Sequence, residues 1–133
     1  MVDTDVSKIP LFAQISEQSA PVVTAGGVID VAAGQTLVNA GDPGAGMFVV
    51  LEGSVVVERG SLHIEIQPYG FFGELALLVP ESPRIARVRA KTDARILAIP
   101  RQTFETLLET EPSFVRALLR EVAARLVQAR THL

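Results

Sequence analysis

The sequence predicts a mainly β domain: a small double-sheet roll, jelly-roll-like and equivalent to a double-stranded β-helix, with helices at both ends. Three observations carry this. Short β-branched runs, each bounded by Gly, Pro, Asn or Asp, follow one another from residue 26 to residue 100. Helix-like segments broken by Pro10 and Pro21 precede them. A long apolar repeat follows Pro112. The 133 residues fit one domain with a single sizeable core. It divides into an N-terminal helical segment (1–25), the roll (26–100) and C-terminal helices (101–133).

Taken in order, Val6 to Phe12 starts a short helix that Pro10 breaks, and Ser16 to Thr24 forms a second that Pro21 weakens. Strands are expected over Val28–Val31, Thr36–Asn39, Met47–Glu52, Val55–Arg59 and Leu62–Gln67. The turns between them are Ala33-Gly34-Gln35, Gly41-Asp42-Pro43-Gly44, Glu52-Gly53 and Arg59-Gly60-Ser61. Two more strands follow, Ile85–Ala90 and Ala94–Ile99. Phe104, Leu107 and Leu108 then share one face of a short helix after Pro100.

Glu111-Pro112 opens a last helix, with proline suited to the first helical position. Val115, Leu119, Val122, Leu126, Ala129 and Leu133 recur along it at alternating spacings of four and three, a coiled-coil-like seam. Phe114 and Leu118 widen the apolar stripe, so one side can pack on the roll while the seam meets a partner. Burying about three such side chains across a dimer contributes on the order of 5 kcal/mol per chain before association costs. A homodimer through residues 112–133 is expected.

Composition narrows the class. Apolar residues make up 48% and charged residues 20%, a globular rather than disordered balance. The absence of cysteine excludes disulfides and thiolate metal sites. The N-terminus is acidic and has no basic-then-apolar leader, and no apolar run approaches the ~20 residues of a membrane span. A cytoplasmic protein without membrane contact is the expectation. The net charge of −3 conceals an asymmetry: −8 over residues 1–83 and +5 over residues 84–133. The bases Arg87, Arg89, Lys91 and Arg95 alternate with apolar residues on strand-like segments, which places them on solvated outer faces rather than on a nucleic-acid platform.

Only one segment is equipped for recognition chemistry. Phe71-Phe72-Gly73-Glu74-Leu75-Ala76-Leu77-Leu78 is followed by Pro83-Arg84-Ile85-Ala86, so a carboxylate and a guanidinium stand ten residues apart. Arginine donates two parallel charge-assisted hydrogen bonds and never loses its proton, which suits a phosphate diester anion. A glutamate only accepts, which suits a ribose 2′-hydroxyl. Gly73 lets backbone and ligand approach closely, and a helical turn over Glu74–Leu78 offers free N–H groups to an anion. Together these groups converge on a ribose cyclic phosphate.

The run from Gly70 through Ala90 resembles the phosphate-binding cassette of cyclic nucleotide-binding domains, found in the catabolite activator family, in protein kinase A regulatory subunits and in gated channels. The resemblance extends to Ile9-Pro10-Leu11-Phe12, to Ala40–Gly53 and to Asp93–Pro100 with the closing helix. It implies ligand contacts from Gly73, Glu74, Leu75, Ala76, Arg84, Ile85 and Ala86, with cAMP the ligand and cGMP less favoured. It also implies a C-terminal helix that moves on binding and offers Gln128, Ala129, Arg130 and Thr131 near the base. Leu75 and strand residues around Val49 and Leu62 would form an apolar wall for that base. Ile85 departs from the pattern, in which a small residue follows the arginine. A nucleotide-free dimerisation or interaction module is the alternative that rests on it.

Other chemistry is not supported by the residues. Two separated histidines, His63 and His132, cannot form a three-nitrogen metal site. No Ser–His–acid or Cys–His set is present, and Glu81 belongs to a Pro80–Pro83 turn rather than to an acid/base pair with Glu74. Neither an enzyme nor a metal protein is expected. DNA-binding relatives continue into a helix-turn-helix region for which this chain has no room, so direct DNA contact is not expected.

Overall fold

The computed structural model describes residues 5–39, 41, 46–79 and 86–131, without the side chains of residues 75, 76 and 128–131. The eight strands are β1 (Val28–Val31), β2 (Thr36–Val38), β3 (Gly46–Glu52), β4 (Val55–Arg59), β5 (Leu62–Ile66), β6 (Phe71–Phe72), β7 (Arg87–Ala90) and β8 (Ala94–Pro100). They form two antiparallel four-stranded sheets, ordered β1-β8-β3-β6 and β2-β7-β4-β5. The helices are α1 (Ala20–Thr24), α2 (Leu75–Leu78), α3 (Arg101–Thr110) and α4 (Pro112–Thr131). Two 3-10 turns, Val6–Lys8 and Pro10–Phe12, precede them.

The mainly β fold with flanking helices is as the sequence predicts. Period-2 alternation divides the first sheet between two cores. Met47, Val49, Leu97 and Ile99 pack toward the helices with Phe12, Val23, Phe104, Leu107, Phe114 and Leu118. Their alternates Val50, Ala94 and Ile96 pack into the roll with Val38, Val55, Ile66, Val88 and Ala90 of the second sheet. The layers are therefore helices, sheet and sheet.

The outer face of the second sheet carries charge. Glu58 accepts from Arg87 at 2.8 Å and from Arg89 at 2.9 Å, with His63 at 3.4 Å; Lys91 reaches Glu65 at 3.2 Å. Arg95 pairs with Asp30 at 2.9 Å on the first sheet. The bases sit outward as expected, each matched to a carboxylate on a neighbouring strand. One strand escapes sequence reasoning: β6 is two residues long, too short for an alternation signal, and is visible only through its pairing of Phe72 with Phe48.

Pro10 separates the two N-terminal turns, and Pro112 begins α4. Phe114 ties this layer together, stacked on Phe12 at 5.7 Å between centroids and edge-on to Phe104 at 5.9 Å. Glu111, at the elbow between α3 and α4, accepts from the Ser16 N–H at 2.7 Å and from the hydroxyls of Ser16 and Ser19 at 2.9 and 3.0 Å. The Ser16 N–H first, then the hydroxyls, hold its carboxyl below the ordinary 4.5 of a glutamate. Stability from a depressed carboxylate is present above the unfolded value and is lost as pH falls through the folded one. Glu111→Gln should therefore lower the melting temperature most above about pH 5, with the gap to wild type closing in more acidic solution. Thermal melts across pH check this, and a constant gap contradicts it.

The β3–β4 turn depends on Gly53, at φ +78°, where an added Cβ would stand 2.2 Å from the Asp93 carbonyl oxygen. The left-handed conformation alone costs a side chain ~1–2 kcal/mol. Gly53→Ala should lower urea-unfolding stability by roughly 2 kcal/mol or more once that overlap is added. A change within about 0.5 kcal/mol, the range of a neutral surface substitution, contradicts the turn's role.

Candidate functional site

The recognition segment is fixed to the first sheet at its start. Val50 donates to the Gly70 carbonyl at 2.9 Å and Tyr69 donates to the Val50 carbonyl at 2.6 Å, which locks the Gln67–Gly70 turn against β3. β6 then sends Phe71 toward the helices and Phe72 into the roll, where it stacks on Phe48 at 5.1 Å. Gly73 turns the chain at φ +92°, a conformation suited to glycine. Glu74 follows, and its carbonyl accepts the N–H groups of Leu77 and Leu78 at 3.0 and 2.9 Å, opening α2. The helical turn read from Glu74 to Leu78 thus forms over Leu75–Leu78.

The Glu74 carboxylate is buried, with the residue 3% exposed. Its Oε1 accepts from Nη1 of Arg125 at 2.7 Å, and Nη2 of the same guanidinium donates to the Phe71 carbonyl at 2.6 Å. The guanidinium carbon also lies 4.4 Å from the centre of the Phe71 ring. One arginine from α4 therefore engages the carboxylate, the carbonyl and the aromatic face at the end of β6. Charge-assisted bonds of this kind are stronger than neutral ones, and the planar fork loses little freedom in making two.

Of the residues singled out in the sequence, Gly73 and Glu74 meet here with the backbone of Leu75 and Ala76. Ala86 is half-buried just before β7. Arg84 and Ile85 lie outside the described residues, as does His132, and so do the side chains of Gln128, Ala129, Arg130 and Thr131. Val49 is fully buried under the helices rather than in the roll, so it cannot wall a ligand. Leu62 and Ile64 share the inner face of the second sheet with Val55, Val57 and Ile66 by register, and both are exposed.

Sequence reasoning missed Arg125. Its signal was present in the spacing: Phe114, Leu118, Val122 and Arg125 follow at steps of four, four and three, a cation on the apolar face of α4. Phe114 and Leu118 are buried and Val122 packs against the same core. Val122 consequently leaves the expected seam, while Val115, Leu119 and Leu126 remain exposed.

The sequence model of the cyclic nucleotide-binding domain matches residues 28–111. The chain belongs to the cyclic nucleotide-binding domain family. Among curated proteins, it is 36% identical over 108 residues to a cyclic nucleotide-gated potassium channel of Mesorhizobium japonicum, covering 80% of this chain and 30% of the channel. It is 30% identical over 112 residues to the cAMP-dependent protein kinase regulatory subunit of Aspergillus niger, covering 81% of this chain and 27% of that protein. The chain thus spans under a third of the length of either relative. A solved structure associated with a cyclic-GMP-dependent signalling pathway of bacterial phytopathogenesis superposes with a TM-score of 0.70 at 30% identity, covering 86% of this chain and 96% of that one.

The domain is a cyclic nucleotide-binding regulatory domain, and α4 with Arg125 lies beyond the residues that the family match covers. Among the described residues no group of three or more His, Cys, Asp or Glu is placed to hold a metal ion, and no helix is long and apolar enough to cross a membrane. His63 stands exposed on the outer face beside Glu58.

Proposed function

We propose that this domain is a cytoplasmic, non-enzymatic sensor of cAMP that converts binding into a movement of α4. The observation that carries the reading is the buried carboxylate of Glu74 at the end of β6, behind a glycine in the left-handed conformation and joined to α4. Glu74 accepts the ribose 2′-hydroxyl, and Arg84 neutralises the cyclic phosphate, a role carried by the family resemblance. Backbone N–H groups around Gly73, Leu75, Ala76, Ile85 and Ala86 supply the remaining polar contacts. Leu62 and Ile64, apolar and uncovered on the inner face, are suited to lie against the base. Ile85 supplies no hydroxyl, which favours adenine over guanine.

Calorimetric titration tests the ligand. Wild type should bind cAMP more tightly than cGMP, and 2′-deoxy-cAMP should bind roughly tenfold more weakly because the carboxylate loses its donor. Arg84→Leu should weaken binding ~100-fold or more by removing two charge-assisted bonds. No heat and no thermal stabilisation at millimolar nucleotide rejects the reading.

The exposed stripe on α4 supports a homodimer through this helix. Leu119 is 67% exposed, with Val115, Leu126 and Val127 also uncovered along the helix, and charged side chains separate them. Leu119→Asp should convert a dimer to a monomer in sedimentation equilibrium while leaving the melting temperature within a few degrees. A wild-type chain that stays monomeric at about 100 μM, where a weak specific dimer would already assemble, contradicts this part of the proposal.

A further inference from the structure

Arg125 occupies the group that the ligand needs. Three turns of α4 deliver it there, because Phe114, Leu118 and Val122 fix the helix face that meets the core and Arg125 follows three residues on. Its fork spans Glu74 Oε1 and the Phe71 carbonyl, and its plane covers the Phe71 ring. The carboxylate side chain is 4% exposed and the arginine side chain 38%, so the guanidinium lies on the solvent side of the pair.

From this geometry we infer that Arg125 is an internal competitor of the ligand: a clasp that holds α4 against the binding segment until nucleotide displaces it from Glu74. This rests on the reading that Glu74 receives the ribose hydroxyl. A carboxylate buried to this degree cannot meet a new donor without a neighbouring group withdrawing, and Arg125 is the one whose withdrawal frees a helix end. The clasped fraction lowers apparent affinity, since ligand binds only the unclasped molecules. By reciprocity, each bound ligand loosens the last described turns of α4 to the same extent. Ligand chemistry is thereby tied to helix release through one side chain, and the family match ends fourteen residues before it.

The experiment compares wild type with Arg125→Gln, and with Arg125→Lys, which keeps the charge but lacks the fork. Calorimetry with cAMP and cGMP should show Arg125→Gln binding the preferred nucleotide roughly tenfold more tightly, with the lysine variant between it and wild type. Hydrogen exchange without nucleotide should be faster by about tenfold over residues 119–127 in Arg125→Gln, approaching the rate of nucleotide-bound wild type. Should the glutamine variant fail to fold, the lysine variant must still show both gains. Wild-type binding that is unchanged or weaker in the variants overturns the clasp alone, and marks Arg125 as a ligand contact or a structural tie. Failure of every protein, wild type included, to bind either nucleotide removes the ligand reading and the clasp with it.

Discussion

The contact between Glu74 and Arg125 is the constraint around which the site is arranged. A carboxylate removed from water needs charge-assisted partners, and here one partner comes from a helix 51 residues later in the chain. That partner is half in solvent, so the pair is held tightly enough to be placed yet close enough to water to be exchanged. A fully buried pair would be a fixed strut, and a fully exposed one would have no hold on the helix. The intermediate position is what a switch element requires.

Everything upstream serves to bring those two side chains together. The Gln67–Gly70 turn, pinned to β3, and the short β6 place Glu74 just beyond the edge of the first sheet. The aromatic set of Phe12, Phe104 and Phe114 sets the start of α4 against the opposite face of that sheet, and Glu111 ties the elbow before it to Ser16 and Ser19. The N-terminal segment and both C-terminal helices consequently share one apolar core with β3 and β8. A displacement of α4 would have to be accommodated in that core, whose close packing passes small shifts on to neighbouring groups.

Much of this was legible in the sequence. Alternation and turn residues located seven of the eight strands, because each is long enough for a period of two to register. β6 was not, being two residues within a run whose glycine and carboxylate suggested recognition instead of pairing. Gly73 and Glu74 stood out because a glycine beside a lone acid interrupts a run that is otherwise apolar from Phe71 to Leu78. Val49 was misplaced as a ligand wall because alternation gives two faces without saying which one meets helices. Arg125 was hidden for a related reason. A lone cation in an amphipathic helix resembles one more solvated base until the partner on a distant strand end is known. Its inward spacing after Phe114, Leu118 and Val122 was the available clue.

A crystal structure of the chain with cAMP bound bears most directly on the central claim. The account predicts the ribose 2′-hydroxyl on the Glu74 carboxylate, the cyclic phosphate on Arg84, and Arg125 withdrawn with its helix. A nucleotide seated elsewhere, or one seated in the roll while Arg125 still grips Glu74 with α4 unmoved, would contradict it.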